Sequence, residues 1–355
     1  MTRAEKLRVR FTSFADAMLL TEALNQYYIS GFRFADGFVV VTKKSAHILT
    51  DSRYAEAARA ASPAGFEIHV PGGAGMLAKL RQLLLSDGVE TLAFEEKRLT
   101  VFALEKLKGA LPGVALVPSR GIVETLRRCK DPEEIEKIAR AQKITDDAFS
   151  HILKTLTPDM TESEVAVELE YFMRRHGAED KSFDTIAVSG RASALPHGVP
   201  RNVKLETGFL TMDFGCVVDG YHSDMTRTVV LGRADAEMKR LYATVLEAQQ
   251  RAIQSAAVGE KCAAVDKRAR DCIELAGYRG CFGHSLGHSV GLEIHEAPNF
   301  APRSADCFEN GNVITVEPGI YLEGQYGCRI EDMICAQDGA VRNLTGAPKE
   351  LIELF

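Results

Sequence analysis

The chain has 355 residues, of which 46% are hydrophobic and 26% charged, enough for two well-cored domains and too apolar for global disorder. A formal net charge of −6 and a pI near 5.9 give no electrostatic reason to bind nucleic acid or anionic membranes. The opening stretch MTRAEKLRVRFTSFADAMLL is basic but has no long uncharged segment, and no run approaches a membrane span, so a cytoplasmic protein is expected. Eight cysteines occur without a CxxC, and several fall in expected helices or strands, which favours reduced core thiols over disulfides or zinc knuckles.

Along the first third, strand-like runs at 37–42, 46–50, 66–70 and 92–96 alternate with a helical run at 75–88. That β/α alternation predicts a small α/β domain over residues 1–125, followed by a second domain over 126–355, with the boundary between Pro118 and Lys130. His47, His69, His151 and His176 stand in ordinary strand or helix contexts, where surface or packing roles are expected.

The second domain opens on a long helical pattern, about 132–153, whose Asp131-Pro132 start supplies an N-cap and a proline in the first turn. A second long pattern spans about 236–256. Each is followed by an amphipathic helix stopped by a glycine, TPDMTESEVAVELEYFMRRHG at 157–177 and AVGEKCAAVDKRARDCIELAG at 257–277, offset by 100 residues. Thr161 and Glu164 form a capping-box signature in the first copy, and Gly177 and Gly277 are suited to terminate the two helices.

Strands bearing acids follow each helix pair. In FLTMDFGCVVDGYHSDMTRTVV (209–230) the turn signal Asp219-Gly220 fixes a register with Val218 opposite Tyr221 and Asp213 opposite Thr226. Asp224 then lies on the same face as Asp213, a diagonal neighbour about 7 Å away, while Leu210, Met212, Phe214, Cys216 and Val218 face a core. Two bare carboxylates so placed repel unless a cation or proton joins them. The segment VITVEPGIYLEGQYGCRIEDMIC (313–335) repeats the arrangement, with Glu317 ending one strand and Glu331 on the next. Helix, helix and acid-bearing hairpin, occurring twice, predict a pseudo-twofold α/β (α+β) domain with metals held between its halves.

Histidines cluster where such a site needs them. His284, His288 and His295 fall among glycines in FGHSLGHSVGLEIHE, and His197 lies in SGRASALPHG. His222 points to the strand face away from Asp224, which suits a supporting or structural role. Arg329, two residues before Glu331 and on its strand face, is expected to orient a carboxylate or a catalytic histidine rather than form a surface salt bridge.

The ordered strings SALPHG, MDFGCVVDGYHSDMTRT, GHSLGHSVGLEIHEAP, VEPGIY and GCRIEDM resemble the motif set of the pita-bread metallopeptidases, over about residues 126–355. MTRT and RIED place the resemblance in the proline-specific branch, aminopeptidase P and prolidase, and NQYYISGFRFADGFVVVTKKSAHILTDSRY resembles the creatinase-like N-terminal domain of that branch. The resemblance implies that Asp213, Asp224, His288, Glu317 and Glu331 bind two divalent metal ions, with Glu317 also the general base. It makes His197, His284, His295 and Arg329 supporting residues, His295 at the oxyanion and His197 near the leaving proline nitrogen. An oxygen-rich ligand set favours Mn²⁺, with Co²⁺, Fe²⁺ or Zn²⁺ acceptable.

The implied activity is hydrolysis of the bond between an N-terminal residue and a penultimate proline in a small peptide, and a homodimer is expected by the same resemblance. An Xaa-Pro aminopeptidase is favoured over an Xaa-Pro dipeptidase, because neither Arg191 nor Arg303 sits in a context that marks a carboxylate clamp. A methionine aminopeptidase is disfavoured by the N-terminal domain. A metal-free creatinase-type amidinohydrolase or a non-catalytic binding module would be expected to lose candidate ligands, and all five are present. One departure is Ser289, where glycine commonly follows the histidine, which bears on fine specificity.

Overall fold

A computed structural model describes residues 1–61, 65–72 and 75–355, and the chain divides into two compact units, Met1–Arg127 and Arg128–Phe355. The first unit is a six-stranded mixed sheet flanked by helices. Its helices are α1 (Arg3–Phe11), α2 (Ala23–Ser30), α3 (Ala55–Ala61), α4 (Gly75–Asp87), α5 (Val101–Ala110) and α6 (Ile122–Arg127). Its strands are β1 (Ala17–Leu20), β2 (Gly37–Thr42), β3 (Ala46–Thr50), β4 (Glu67–His69), β5 (Thr91–Phe94) and β6 (Ala115–Pro118), ordered β4-β3-β2-β1-β5-β6. Leu19, Val40, Leu49 and Leu92 from the sheet pack with Leu80, Leu84 and Leu107 from α4 and α5 to form its core.

The second unit repeats itself. Helix α7 (Pro132–Thr155) starts on a capping box formed by Asp131 and Glu134, with Pro132 in the first turn where its missing N–H costs nothing. Helix α8 (Glu162–Arg175) starts on the Thr161/Glu164 capping box. After β7 (Asp180–Lys181) and β8 (Ile186–Ser189) comes a long hairpin of β9 (Gly208–Phe214), β10 (Cys216–Val218), β11 (Tyr221–His222) and β12 (Met225–Leu231). The second half sets α9 (Ala236–Ser255) and α10 (Cys262–Leu275) before β13 (Gly287–Ser289) and β14 (Glu296–Phe300). Its hairpin follows as β15 (Val313–Val316), β16 (Gly319–Leu322), β17 (Tyr326–Arg329) and β18 (Asp332–Gln337), and β19 (Ala340–Asn343) and β20 (Glu353–Leu354) close the chain.

Its two larger sheets are ordered β20-β12-β9-β8 and β14-β13-β15-β18-β19, so β8-β9-β12 of one half matches β13-β15-β18 of the other. Helices α8 and α10 begin 100 residues apart, at Glu162 and Cys262. Alternation fixes which side each strand buries: Leu210, Met212 and Phe214 pack on Phe149 and Leu169, and Ile314, Val316 and Ile334 pack on Leu241, Val245 and Ile273. The intervening residues Thr211 and Asp213, and Thr315 and Glu317, are left for the opposite faces.

The first hairpin has the expected register, with Val218 opposite Tyr221 and Asp213 opposite Thr226. Asp219 and Gly220 at its tip have φ of 49° and 80°, as a type I′ turn requires.

Behind the facing strands lies a buried tie between the halves. Arg227, 1% exposed, donates from Nη2 to Asp332 Oδ1 at 2.8 Å and also bonds the carbonyl oxygens of Thr226, Glu331, Ala347 and Pro348. Asp332 receives Lys349 Nζ and Asn343 Nδ2 on its other oxygen, each at 2.6 Å. Burial alone would raise the Asp332 carboxyl, but Arg227 and Lys349 outweigh it and hold it below 3.8. Removing one partner of such a pair strands the other charge, so Asp332→Ala should cost about 3–5 kcal/mol near pH 7. Because the native pKa is depressed, that contribution is present above the unfolded carboxylate value and is lost as pH falls through the native one. Urea unfolding should therefore show a large gap between variant and parent at neutral pH that narrows in acid, and a pH-independent gap would contradict the assignment.

Candidate metal centre

The five candidate ligands come from the two hairpins and β13. Asp213 lies on β9 and Asp224 immediately before β12. The ladder of the second hairpin runs from Val313–Cys335 to Val316–Asp332, then resumes at Gly319–Arg329 in the same register. Glu317 and Glu331 therefore sit across from each other in the gap, where Pro318 has no N–H to donate. His288 is in the middle of β13, and Gly287 before it lets the strands close: a Cβ there would stand 1.8 Å from the Thr315 carbonyl oxygen.

One ligand atom each from Asp224, His288 and Glu331 lie within 4.8 Å of one another. His288 Nε2 is 3.5 Å from both Asp224 Oδ2 and Glu317 Oε1. Its Nδ1 is 3.2 Å from the Ser289 carbonyl oxygen, which assigns the proton to Nδ1 and leaves the Nε2 lone pair facing the carboxylates. Asp213 accepts Arg329 Nη2 at 2.6 Å on Oδ2, while its buried Oδ1 has no hydrogen-bond partner among the described residues. Glu331 accepts Thr226 Oγ1 at 2.7 Å and donates its own N–H to the Thr226 carbonyl at 3.1 Å, so the two hairpins join at the site itself.

Electrostatics follow from this crowding. Burial, with Glu331, Asp213 and Glu317 added to it, raises Asp224 well above the usual carboxylate range. Glu331 is raised in the same way by burial, Glu317 and Asp213, and Glu317 is pushed up to about 8, chiefly by burial and against the pull of Arg329. His288 is lowered to about 4 by burial and by His295, so it is a neutral donor. Such a pocket accepts cations or protons and little else.

The supporting residues gather around it. Arg329, 3% exposed, donates to Asp213 and also to Tyr321 Oη at 2.8 Å and Thr226 Oγ1 at 2.9 Å, so it is a buried group and not a surface ion pair. His284 Nε2 lies 3.0 Å from the same Tyr321 hydroxyl, and its pKa is lowered to about 4 by burial and by Arg329. The His295 ring meets that of His288 edge-on, with centroids 4.3 Å apart. His197 is exposed after the short 3₁₀ turn Gly190–Ala194 and is among the groups that lower His284 and His295. His222 is shifted down by burial and lies opposite Val217, outside this group.

Thr226, Thr315 and Tyr321 belong to the site but were not singled out by sequence. Thr226 could have been, since the predicted register sets it opposite Asp213. Thr315 Oγ1 donates to Glu317 Oε1 at 3.1 Å and accepts the His288 N–H at 3.0 Å. Tyr321 carries no local signal beyond its place in VEPGIY. Beside it opens a cavity of about 420 Å³ lined by Val188, Arg191, Leu195, Val199, Arg201 and Tyr321.

Comparison with known proteins identifies the family of both units. The model of metallopeptidase family M24 matches residues 136–338, and that of the creatinase/prolidase N-terminal domain matches residues 3–129. The chain belongs to metallopeptidase family M24, and its fold is the pita-bread fold preceded by a creatinase-type N-terminal domain. An uncharacterized peptidase of Bacillus subtilis (strain 168) is 40% identical over 354 residues, 99% of this chain and 100% of the relative. The solved structure of an Xaa-Pro dipeptidase from Bacillus anthracis is 41% identical with a TM-score of 0.96, covering 99% of both chains. That of an X-Pro aminopeptidase from Thermotoga maritima is 35% identical with a TM-score of 0.94, covering 99% of this chain and 100% of the other.

Crowding predicts a proton balance. With Asp224, Glu317 and Glu331 raised, the metal-free protein carries extra protons near neutral pH that a divalent ion must displace. Calorimetric titration of a divalent ion should give heats that vary with buffer ionisation enthalpy, corresponding to release of at least one proton per chain. A buffer-independent heat would contradict the raised carboxyl groups.

Proposed function

We propose that Asp213, Asp224, His288, Glu317 and Glu331 hold two divalent metal ions, Mn²⁺ by preference, and that the protein hydrolyses the bond between an N-terminal residue and a following proline. The observation that carries this is the grouping of Asp224, His288 and Glu331, with Glu317 3.5 Å from His288, Asp213 acting on Asp224, and the buried Asp213 Oδ1 unpartnered among the described residues. If all ionise, four carboxylates against the one charge of Arg329 leave three net negative charges, more than a single divalent ion can balance. When bound, a pair of such ions polarises the scissile carbonyl and acidifies water.

The chain's own residues supply the rest. Glu317, ionised once cations enter and held by Thr315, accepts the proton of the attacking water. His295, beside His288, donates to the developing oxyanion, and His197 serves the leaving proline nitrogen. Arg329 and Tyr321 position Asp213 and His284.

For substrate length, the dipeptide reading is favoured. Arg191 lines the cavity beside Tyr321 and has no ion pair among the described residues, whereas Arg201 is committed to the buried Glu162. A free guanidinium there suits the carboxylate of a C-terminal proline. The similarity to the Bacillus anthracis Xaa-Pro dipeptidase supports this reading. The aminopeptidase reading has support of its own in the Thermotoga maritima X-Pro aminopeptidase, which matches 99% of the chain.

A Mn²⁺-supplemented panel of Xaa-Pro dipeptides, Xaa-Pro-Yaa peptides and Met-Ala-Ser separates these readings. We expect dipeptides to be cleaved best, with Arg191→Ala raising their KM at least about tenfold and sparing tripeptides. Preference for the tripeptides would return the aminopeptidase, cleavage of Met-Ala-Ser alone a methionine aminopeptidase, and metal-independent turnover a creatinase-type reaction. Asp224→Asn or His288→Ala should lower turnover about a hundredfold or more with the fold retained, and near-normal activity in excess metal would remove the assignment. A homodimer accompanies this reading, and light scattering should give twice the 38.9 kDa chain mass, where a single chain mass would reject it.

A further inference from the structure

A second group of metal-ligating side chains lies in the first unit, at the edge of its sheet. Strands β3 and β4 run parallel, with His47 opposite Glu67 and Leu49 opposite His69. Glu67 and His69 are two residues apart on β4 and so share a face. His47 Nδ1 stands 3.1 Å from His69 Nε2 and 3.5 Å from Glu67 Oε2, and His69 Nε2 is 3.7 Å from that same oxygen. In a tetrahedral zinc site with bonds of about 2.0–2.2 Å, ligand atoms lie about 3.3–3.6 Å apart. The triangle observed is therefore the base of such a tetrahedron, to within a few tenths of an ångström.

The far side of His47 is built to hold it. Its Nε2 lies 2.7 Å from Ser45 Oγ, which donates in turn to Asp87 Oδ2 at 2.5 Å, and Thr42 Oγ1 donates to the same Asp87 oxygen at 2.5 Å. With Ser45 Oγ and Thr42 Oγ1 both aimed at Asp87, Nε2–H donates to Ser45, and the Nδ1 lone pair is presented to the cluster. A histidine fixed through its other nitrogen by a chain ending in a carboxylate is the support that metal-bound imidazoles receive. His47 is only 3% exposed, so its ring is held by packing as well. A hydrogen bond between the two histidines accounts for two of the three groups and leaves the Glu67 oxygen facing two nitrogens with no hydrogen bond to either. Glu67 is exposed, so the fourth corner is open to water.

We propose that His47, Glu67 and His69 form a mononuclear zinc site, completed by water, that pins the short edge strand β4 to β3. Two nitrogens and one carboxylate oxygen suit Zn²⁺ better than the oxygen-rich centre of the second unit does. The site is separate from the peptidase centre in sequence and ligand set, and its occupancy does not depend on the peptidase reading.

The test compares full-length protein with the Glu67→Gln and His69→Ala variants, each equilibrated with micromolar free Zn²⁺, desalted and analysed for metal. All three share the same centre in the second unit, so the difference isolates this cluster. We expect one zinc equivalent fewer per chain in either variant, unchanged Mn²⁺-supported peptidase activity, and loss in both of the strong visible absorption of four-coordinate Co²⁺ seen in the Co²⁺-loaded parent. Zinc should also raise the thermal midpoint of the parent more than that of the variants. Equal zinc content in parent and variants overturns the site. Should His69→Ala fail to fold, the comparison with Glu67→Gln, whose side chain is exposed, decides alone.

Discussion

Four carboxylates crowded within reach of one another, Asp224 and Glu331 buried and Asp213 and Glu317 partly so, are the constraint on which the second unit is organised. Bringing Asp213, Asp224, Glu317 and Glu331 out of water costs far more than any one hydrogen bond returns, unless positive charge joins them. Arg329 supplies one such charge, and its contacts with Asp213, Tyr321 and Thr226 make it a fixture of the site. The remaining imbalance makes the pocket selective for cations before any question of substrate arises. Each half contributes one acid pair, so neither half alone builds the site, and the repeat in the fold is also a repeat in the chemistry.

The stretch Met225–Thr228 shows how one strand serves both faces of this design. Thr226 bonds the Glu331 carboxylate, and Thr228 bonds the backbone of Arg329, both on the site face. Arg227, pointing the other way, ties β12 to Asp332 and to the carbonyl of Glu331. Polar residues that would be odd in a buried strand are thus the means by which two hairpins are locked in register. Their energetic role is specificity of position as much as stability, since a buried pair replaced whole by apolar groups can be neutral.

Much of this was legible in the sequence because it rests on local rules. The Asp219-Gly220 turn fixed the register that sets Asp213 opposite Thr226, and period-two alternation separated the core face from the acid face. Capping residues marked the starts of α7 and α8. What was not legible depends on contacts between segments far apart in the chain. Tyr321 reads as an ordinary strand aromatic until His284 and Arg329 are seen on its hydroxyl. His47 and His69 read as packing residues because no spacing rule reveals that parallel β3 and β4 set them side by side, 22 residues apart. The choice between dipeptide and longer substrates is of the same kind, since it turns on which arginines other side chains have already engaged.

The central claim, that the four carboxylates and His288 form one dinuclear centre, is tested most directly by anomalous diffraction from manganese-loaded crystals. The account predicts two peaks about 3.5–4 Å apart, both within bonding reach of Asp213, Asp224, His288, Glu317 and Glu331 taken together. A single peak at full metal loading, or peaks that leave Asp213 or Glu317 without a metal contact, would contradict it.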